Sequence, residues 1–554
     1  MISDAEGSAD EATNQPTSEP TAQVAEGTLK GRHRKGVELF AGIPYAAPPT
    51  GDRRFRAPEP PEPWDGVRDA RRFGPAAPQL PGAGLTSNFE VRWDEDCLTL
   101  NIVTPDCTVP DGGAGRPVYV WIHGGAYKHG QGATPWYDGT SFAIRGDIVV
   151  VTINYRLGAL GFCDLASHLG DDFATCGING TLDQLAALQW VQANIAAFGG
   201  DPERITIGGE SAGAFSVCNL LAMEAADGLF HRAIAQSGAC HHTFGPVDGR
   251  EIAGEFLNQL GNPPADVLMA LPVEDLLQAM ERVSEEGGQR TGRSQEPFYP
   301  VWGHDLLPRD PRDLMADGAG ATVPLLTGTN EDELALWGVT SMSDDDLTKM
   351  VDGLTDDPDA LLAPYRDRLD GSDGPASAGW VACAIGSDRV FGVPAARHAE
   401  YRHPHNAETW MYRFSWDSRA FDGLFGAAHA LEIPFTFNTV TRPGVDTFLG
   451  PGETPTALAE AMHDAAAEAG IITKMMRNPD FRIDYGTIVS CHMLNPDWGK
   501  PIVTISSNRS THYYSNEVMN EQATALGDAV MKAIEDSGKK VVLVASHSLS
   551  HRHF

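Results

Sequence analysis

Short apolar runs alternate with helical patterns along most of the chain. Five runs are rich in β-branched and aromatic residues, and several are apolar throughout: Leu98 to Val103, Val118 to Ile122, Ile148 to Tyr155, Ile205 to Ile207 and Val323 to Gly328. Continuous apolar strands are typical of a sheet that is covered on both faces. The pattern therefore predicts an α/β fold with a central, mostly parallel sheet flanked by helices.

The segment TLDQLAALQWVQANIAAFGGDP, residues 181–202, predicts one of these helices. Thr181 and Gln184 have the spacing of a capping box at its start. Leucine, valine and isoleucine then recur every three or four residues on one face, and Gly199 and Gly200 end the pattern. We expect an amphipathic helix that crosses over between two strands.

Composition and charge restrict the class of protein. The chain has 554 residues, of which 42% are apolar, and a net charge of −34. This charge argues against nucleic acid or an anionic membrane as a partner, because both would be repelled. Eight cysteines in so long a chain, with no CxxC pair, indicate neither a disulfide scaffold nor a zinc site.

The start of the chain carries no targeting pattern. Residues 1–23 are polar and acidic, and we expect them to be disordered. They lack the basic flank and the apolar stretch of a secretory peptide. No run in the chain approaches the roughly 18 apolar residues of a transmembrane helix. We therefore expect a soluble, cytoplasmic protein.

A serine stands between a predicted strand and a predicted helix in ITIGGESAGAFSV, residues 205–217. A hydroxyl is a poor nucleophile unless a base removes its proton and the backbone holds it out of the sheet. A sharp strand-to-helix turn does the latter, and crowding in such a turn explains why Gly209 and Gly213 flank Ser211 as GxSxG. The turn also aims the N–H of Ala212 at an oxyanion. The segment predicts that Ser211 is a catalytic nucleophile.

Two longer motifs carry a specific resemblance to a known family. FGGDPERITIGGESAG, residues 198–213, and EDCLTLNIVTP, residues 95–105, resemble the two signatures of the type B carboxylesterases, which have the α/β-hydrolase fold. The similarity continues through VYVWIHGGAY and GLFHRAIAQSGA and covers about residues 24–466. It implies a serine carboxylic-ester hydrolase that acts on small-molecule esters through an acyl-enzyme and uses no cofactor.

The resemblance also implies where the acid and the base of the catalytic triad lie. In GTNEDELALW the family pattern makes Glu333 the acid. The adjacent Glu331 and Asp332 are alternatives, which we expect to be solvated loop carboxylates. In FGAAHALEIPFTF the pattern makes His429 the base. The order serine, acid, histidine is that of the α/β-hydrolases.

An oxyanion hole is expected in HGGAY, residues 123–127, directly after a predicted strand. Small residues there let the backbone approach a substrate and donate its N–H groups. The family pattern indicates Gly125 and Ala126, together with Ala212. We expect His123 to pack and to form hydrogen bonds rather than to catalyse.

The chain departs from the family pattern in two places. Many secreted members join the cysteine of the EDCL motif to a cysteine in an upstream FGPxCPQ segment. This chain has Ala77 at that position, so Cys97 lacks this partner, which agrees with a reducing compartment. From about Ala467 the sequence resembles the middle of the class III extradiol dioxygenases. We expect residues 467–554 to be a non-catalytic fragment without iron, because the resemblance places the iron ligands in regions that this fragment should not contain.

Two alternatives to an active esterase stay open. A non-catalytic binding protein on the same fold would lack a member of the triad, and the sequence shows no such loss. A fusion whose replaced C-terminus impairs folding would be inactive. Histidines cluster at 241–242, 398–405 and 547–553, but none has a cysteine or carboxylate at a recognised ligand spacing, so no metal site is expected.

Overall fold

The apolar runs of the sequence become strands of one nine-stranded sheet. The computed structural model describes residues 18–81, 91–110, 113–287, 296–369, 377–442 and 444–450. Its strands are β1 (Thr21–Val24), β2 (Gly27–Lys30), β3 (Arg32–Arg34), β4 (Val37–Pro44), β5 (Val67–Asp69), β6 (Thr99–Thr104), β7 (Arg116–Ile122), β8 (Val149–Ile153), β9 (Gly200–Glu210), β10 (Arg232–Gln236), β11 (Leu325–Asn330) and β12 (Thr409–Phe414). The order in the large sheet is β12-β11-β10-β9-β7-β8-β6-β4-β3, and β1, β2 and β5 form a second sheet.

The large sheet is parallel over most of its width. The pairs that join β7 to β8 and β9, and those that join β9 through β12, are all parallel. The pairs among β3, β4, β6 and β8 are antiparallel. Every residue of β6, β7, β8 and β11 is buried, as expected for strands that are covered on both faces. The predicted α/β fold is confirmed.

Helices connect the parallel strands. They are α1 (Thr140–Gly146), α2 (Gly158–Phe162), α3 (Ala166–Leu169), α4 (Asn179–Asn194), α5 (Ala212–Leu221), α6 (Pro246–Gln259), α7 (Ala265–Ala270), α8 (Val273–Gly287), α9 (Pro311–Ala316), α10 (Asp344–Asp352), α11 (Pro358–Leu369), α12 (Ala378–Ser387), α13 (Val393–Arg402), α14 (Ile433–Thr436) and α15 (Asp446–Leu449). Over the described ranges, none of them is both long enough and apolar enough to cross a membrane.

The crossover helix α4 differs from its prediction in two respects. It begins at Asn179, so Thr181 lies inside the helix and no side chain caps its start. It is also buried on nearly all sides, including the polar residues Asp183 and Gln184. The amide of Gln184 donates a hydrogen bond of 2.9 Å to the hydroxyl of Ser216 on α5. The amphipathic pattern is therefore wrong for this helix, because its polar face packs into the interior, where Asp183 and Gln184 have buried partners while the hydroxyl of Thr181 has none among the described residues.

A buried ion pair fixes α4 against the loop that follows β8. The carboxylate of Asp183 accepts hydrogen bonds from Nε and Nη2 of Arg156, at 2.8 and 2.6 Å, and from the backbone N–H of Arg156 at 3.0 Å. The side chains are 0% and 3% exposed, respectively. Because both charges are removed from water, each depends on the other for its stabilisation.

The N-terminal prediction is partly wrong. Order begins before residue 24, because β1 spans Thr21–Val24 and pairs with β2. The alternate residues Ala22 and Val24 are buried, so even a short polar sequence gains enough contact to form a strand here. Residues 1–17 and the predicted dioxygenase-like fragment 467–554 lie outside the described residues.

Strand β12 forms one edge of the large sheet and pairs with β11. Trp410 and Met411 are exposed on this strand, at 43% and 47%, whereas Tyr412 and Phe414 are buried. The chain runs from β12 into the segment that carries His429.

We predict that Asp183→Ala lowers the free energy of unfolding by about 3–5 kcal/mol, because it leaves the guanidinium of Arg156 buried without its counter-ion. Equilibrium unfolding in urea, followed by tryptophan fluorescence, measures the change. Glu400→Ala is the control, since Glu400 pairs with Arg397 on the surface and should leave the urea midpoint almost unchanged. Equal losses in the two variants would contradict the role of the buried pair.

Candidate active site

Ser211 occupies a strained turn between β9 and α5. Its φ and ψ are 56° and −124°, a conformation that a residue with a side chain rarely adopts. The backbone N–H of Ser211 donates to the carbonyl of Gln236 at 2.9 Å, which fixes the turn to β10. The hydroxyl does not cap α5. The predicted strand-to-helix turn is present, and it holds the serine at the carboxyl end of a central strand.

The two glycines of GxSxG are required by close backbone contacts. A methyl group at Gly209 would collide with the carbonyl of Gly213, and one at Gly213 would collide with the carbonyl of Ile122 at the end of β7. A methyl group at Gly124 would likewise meet the carbonyl of Glu210. The turn and the segment after β7 therefore lie in direct backbone contact.

Glu333 and His429 form a buried hydrogen-bonded pair. Glu333 begins a 3₁₀ turn, Glu333–Trp337, shortly after β11 ends. Its Oε2 lies 2.6 Å from Nδ1 of His429, and its Oε1 accepts a hydrogen bond of 2.7 Å from the N–H of Asn330. Both side chains are buried. Because the carboxylate accepts from Nδ1, it fixes the orientation and the tautomer of the ring.

The other nitrogen of the imidazole faces Glu210, the residue that precedes Ser211. Nε2 of His429 lies 3.0 Å from Oε1 of Glu210. Among the described residues, no hydrogen bond joins the hydroxyl of Ser211 to this ring. The structure thus brings Glu333 and His429 together and places a second carboxylate where the nucleophile was expected.

Burial and charge act in opposite directions on this imidazole. Burial lowers the pKa of His429, but the carboxylates of Glu210 and Glu333 outweigh burial and raise that pKa to about 9. Burial raises the pKa of Glu210 to about 8, although His429 opposes this change. Oε1 of Glu210 lies 3.0 Å from Nε2 but accepts no hydrogen bond from the described residues, so this carboxylate acts on the imidazole through its charge.

A third carboxyl group, Glu432, lies beside this pair. Its Oε2 accepts a hydrogen bond of 2.6 Å from the amide of Asn330, and its Oε1 accepts one of 3.1 Å from the amide of Gln236. Burial raises the pKa of Glu432 to about 7. Amide donors from the ends of β10 and β11 therefore satisfy this group without a formal positive charge.

The segment after β7 has an unusual backbone. Gly125, Ala126 and Tyr127 have φ of 110°, 54° and 55°. A methyl group at Gly125 would collide with the carbonyl of His129, so only glycine fits there. Within the described ranges, the N–H groups of Gly125, Ala126 and Ala212 have no hydrogen-bond acceptor. These three donors were predicted to form the oxyanion hole.

His123 lies beneath this segment and is fully buried. Its Nδ1 lies 2.8 Å from the carbonyl of Gly124, and its ring stacks on Tyr155 at 4.5 Å between centroids. Burial lowers the pKa of His123 to about 4, so the imidazole is neutral. These contacts agree with the packing role expected for this residue.

Aromatic rings line the space around His429. Phe391 and Trp337 lie 4.7 and 5.1 Å from the imidazole centroid. Phe391 continues to His242 at 6.3 Å, and His242 stacks on Phe215 at 3.8 Å. Trp337 is 56% exposed, whereas Phe215 is buried at 4%. We refer to Trp337, Phe391, His242 and Phe215 as the aromatic row, which extends from solvent to α5.

The sequence does not reveal the environment of two acidic residues of the site. It predicts no role for Glu210, although Glu210 is the one charged residue of the turn that carries Ser211. Asp332 was expected to be solvated, but its Oδ2 accepts a hydrogen bond of 3.0 Å from the N–H of Ala427, and burial raises its pKa to about 6. Glu331 lies 3.5 Å from Arg413. The expectation for Asp332 is therefore wrong, because its partner is a backbone group distant in sequence.

The disulfide and metal predictions concern other parts of the chain. Ala77 is buried, and Cys97 is a free thiol. In the part of the chain that the structure describes, no three histidine, cysteine, aspartate or glutamate side chains are grouped so as to hold a metal ion. The absence of iron from residues 467–554 stays a prediction.

Comparisons with known proteins show the family of the chain. Residues 18–450 match the model of the carboxylesterase family. The para-nitrobenzyl esterase of Bacillus subtilis is 39% identical over 422 residues, which are 75% of this chain and 82% of that protein. The phenmedipham hydrolase of Pseudarthrobacter oxydans is 37% identical and is aligned over 76% of this chain and 83% of its own length.

A solved structure gives the same result, and the C-terminus matches a different family. A carboxylesterase of Geobacillus stearothermophilus superposes with a TM-score of 0.68 at 38% identity, over 84% of this chain and 94% of that one. Residues 443–553 match the model of the catalytic LigB subunit of aromatic ring-opening dioxygenase. Because the first model spans more than three quarters of the sequence, the chain belongs to the carboxylesterase family.

Proposed function

We propose that the protein is a serine carboxylic-ester hydrolase in which Ser211, His429 and Glu333 act as nucleophile, base and acid. The observation that carries the proposal is the buried hydrogen bond of 2.6 Å between Glu333 and His429, located at the same end of the sheet as the strained Ser211 turn. A base that is oriented by a carboxylate is what a serine hydroxyl needs to become a nucleophile. The family membership and the names of the relatives support the same reaction.

Proton transfer requires Nε2 to be unprotonated. While Nε2 carries a proton, which the nearby charge of Glu210 favours, the imidazole has no lone pair for the hydroxyl of Ser211. The reactive form is the one that has lost this proton, after which Nε2 accepts the proton of Ser211. Glu333 then stabilises the imidazolium across the hydrogen bond to Nδ1.

The acyl transfer proceeds through a tetrahedral oxyanion. The N–H groups of Gly125, Ala126 and Ala212 donate to it, and the lack of an acceptor for them among the described residues supports this role. The imidazolium protonates the leaving alcohol, and water, activated by the same base, releases the acid from the acyl-enzyme. A small-molecule ester is the substrate, and the steps call on no metal or cofactor.

The aromatic row favours esters with an aromatic group. Trp337 is exposed and lies 5.1 Å from the imidazole, so its face is available to a substrate. An aromatic ring that stacks there gains about 0.5–1.5 kcal/mol beyond the burial of its area. The para-nitrobenzyl esterase of Bacillus subtilis bears the name of an aromatic group, which supports this substrate class.

The first test concerns the triad. We expect Ser211→Ala to lower kcat on the order of 10³-fold or more, and Glu333→Gln to be severely impaired, because each substitution disables the same unit. Hydrolysis of p-nitrophenyl butyrate gives kcat, and mass spectrometry locates the label from an organophosphonate, which should be on Ser211. Glu331→Gln is the control and should retain nearly full activity. Labelling elsewhere, or an active Ser211→Ala variant, would refute the mechanism.

The second test concerns the pH dependence. Ionised Glu210 stabilises the protonated imidazole, so kcat/KM should fall as the pH drops through the raised pKa of His429. Glu210→Gln removes this charge and should move the acidic limb of the pH profile to lower pH by about one unit or more. Glu203→Gln, at the exposed Glu203 near His231, should leave the limb in place. A limb that stays or moves to higher pH in Glu210→Gln would contradict this effect of the Glu210 charge on His429.

The third test concerns substrate preference. We expect Trp337→Ala to lower kcat/KM for benzyl acetate by about two- to tenfold relative to ethyl acetate, since only the benzyl group can stack on the indole. Trp410→Ala is the matched control, because Trp410 is also exposed but lies on the edge strand β12. An equal loss for both esters would mean that Trp337 supports the site without selecting its substrate.

A further inference from the structure

The acid and the base of the proposed triad lie on two loops that are joined by a ladder of hydrogen bonds. We call residues 331–333 the acid loop and residues 426–429 the base loop. The N–H of Asp332 donates to the carbonyl of Ala427 at 3.0 Å, and the N–H of His429 donates to the carbonyl of Glu333 at 3.2 Å. The amide of Asn330 donates to the carbonyl of Ala428 at 2.7 Å. The loops are therefore joined at successive residues.

A further rung of this ladder comes from the side chain of Asp332. Oδ2 of Asp332 accepts the N–H of Ala427 at 3.0 Å, while the backbone N–H of Asp332 donates to the carbonyl of the same residue. Asp332 thus holds both the donor and the acceptor of Ala427. Because His429 follows two residues later, any movement of Ala427 is passed on to the imidazole.

The residue that precedes Ala427 in the base loop packs closely against this carboxylate. Gly426 has φ of 49°, and a methyl group there would meet Oδ2 of Asp332 at 2.5 Å and the ring of Trp380 at 3.0 Å. The carboxylate therefore packs directly against the backbone of the loop. Glycine at this position permits both the left-handed conformation and the close contact.

The carboxylate is kept at an energetic cost. Asp332 is half-buried, and the loss of solvation raises the pKa of its carboxyl group. A partly buried carboxylate is tolerated when it accepts hydrogen bonds that compensate for lost solvation. Here the compensating donor is the backbone of the base loop, which indicates that the contact serves to fix that loop.

We propose that Asp332 is a positioning residue, which fixes the base loop through Ala427 so that the imidazole of His429 can meet both Glu333 and Ser211. This inference rests on the proposed function, because it takes His429 as the base. The hydrogen bond of 2.6 Å between Nδ1 and Oε2 tolerates little displacement. A shift of about 1 Å in a catalytic group can reduce a rate by about 100-fold.

The test compares three variants of the full chain with p-nitrophenyl butyrate. Asp332→Ala removes the acceptor and should lower kcat by about ten- to a hundredfold, with KM within about twofold of the wild-type value. Asp332→Asn keeps an acceptor oxygen without the charge and should retain kcat within about threefold. Glu331→Ala is the matched control on the same loop and should behave as the wild type.

A second measurement does not depend on ester hydrolysis. The proton on Nδ1 of His429 should give a low-field ¹H NMR signal, which Glu333→Gln removes. Asp332→Ala should broaden this signal or shift it upfield, whereas Asp332→Asn should preserve it. If the alanine variant fails to fold, the asparagine variant is the remaining test. It keeps the acceptor oxygen, so a tenfold loss of kcat in this variant would refute the role of the acceptor.

The two proposals can fail separately. Wild-type protein that hydrolyses no ester, but whose signal responds to Asp332 as expected, would overturn the proposed function and leave the positioning role intact. Active wild-type protein with unchanged kcat and signal in Asp332→Ala would overturn the positioning role. A rise in KM without a fall in kcat would do so as well, because it would place Asp332 in substrate binding.

Discussion

The geometry of the site depends on the contact of two backbone segments at the carboxyl ends of β7 and β9. Gly213, in the first turn of α5, lies against the carbonyl of Ile122, while Gly124 lies against that of Glu210. No side chain fits between these segments. The serine turn and the predicted oxyanion donors are therefore held relative to each other by the main chain, whatever the surrounding side chains do. The strained φ of Ser211 is maintained by the same packing.

A second constraint is electrostatic. Three carboxyl groups, Glu210, Glu333 and Glu432, lie near a single imidazole, and within the described residues no lysine or arginine contributes to the raised pKa values of Glu210, His429 and Glu432. Burial penalises the ionised forms of Glu210 and Glu432, so these two groups retain their protons above the usual range of carboxylic acids. The charge state of the imidazole thus depends on several carboxyl groups, and the carboxylate that orients the ring is only one of them.

Local features of this site could be predicted from sequence, whereas contacts between distant segments could not. The serine turn follows from the steric demands of GxSxG, which involve neighbouring residues. The roles of Glu333 and His429 needed a family resemblance, because the two residues are 96 positions apart and nothing in the local pattern pairs them. Asp332 was misjudged for the same reason, since its partner Ala427 is 95 positions away. The local spacing places Thr181 at the start of α4, but the helix begins two residues earlier and its polar side is buried, which the local pattern does not reveal.

The place of β12 in the sheet has a consequence for self-association. Within the described residues, its outer edge pairs with no further strand, and Trp410 and Met411 are exposed on it. Where nothing covers it, a strand edge with apolar side chains is a template on which another extended segment can add by main-chain hydrogen bonds. Arg413 is the charged side chain exposed on this strand and so provides its local protection against such addition. The strand that is exposed to such addition is therefore the one that leads into the base loop.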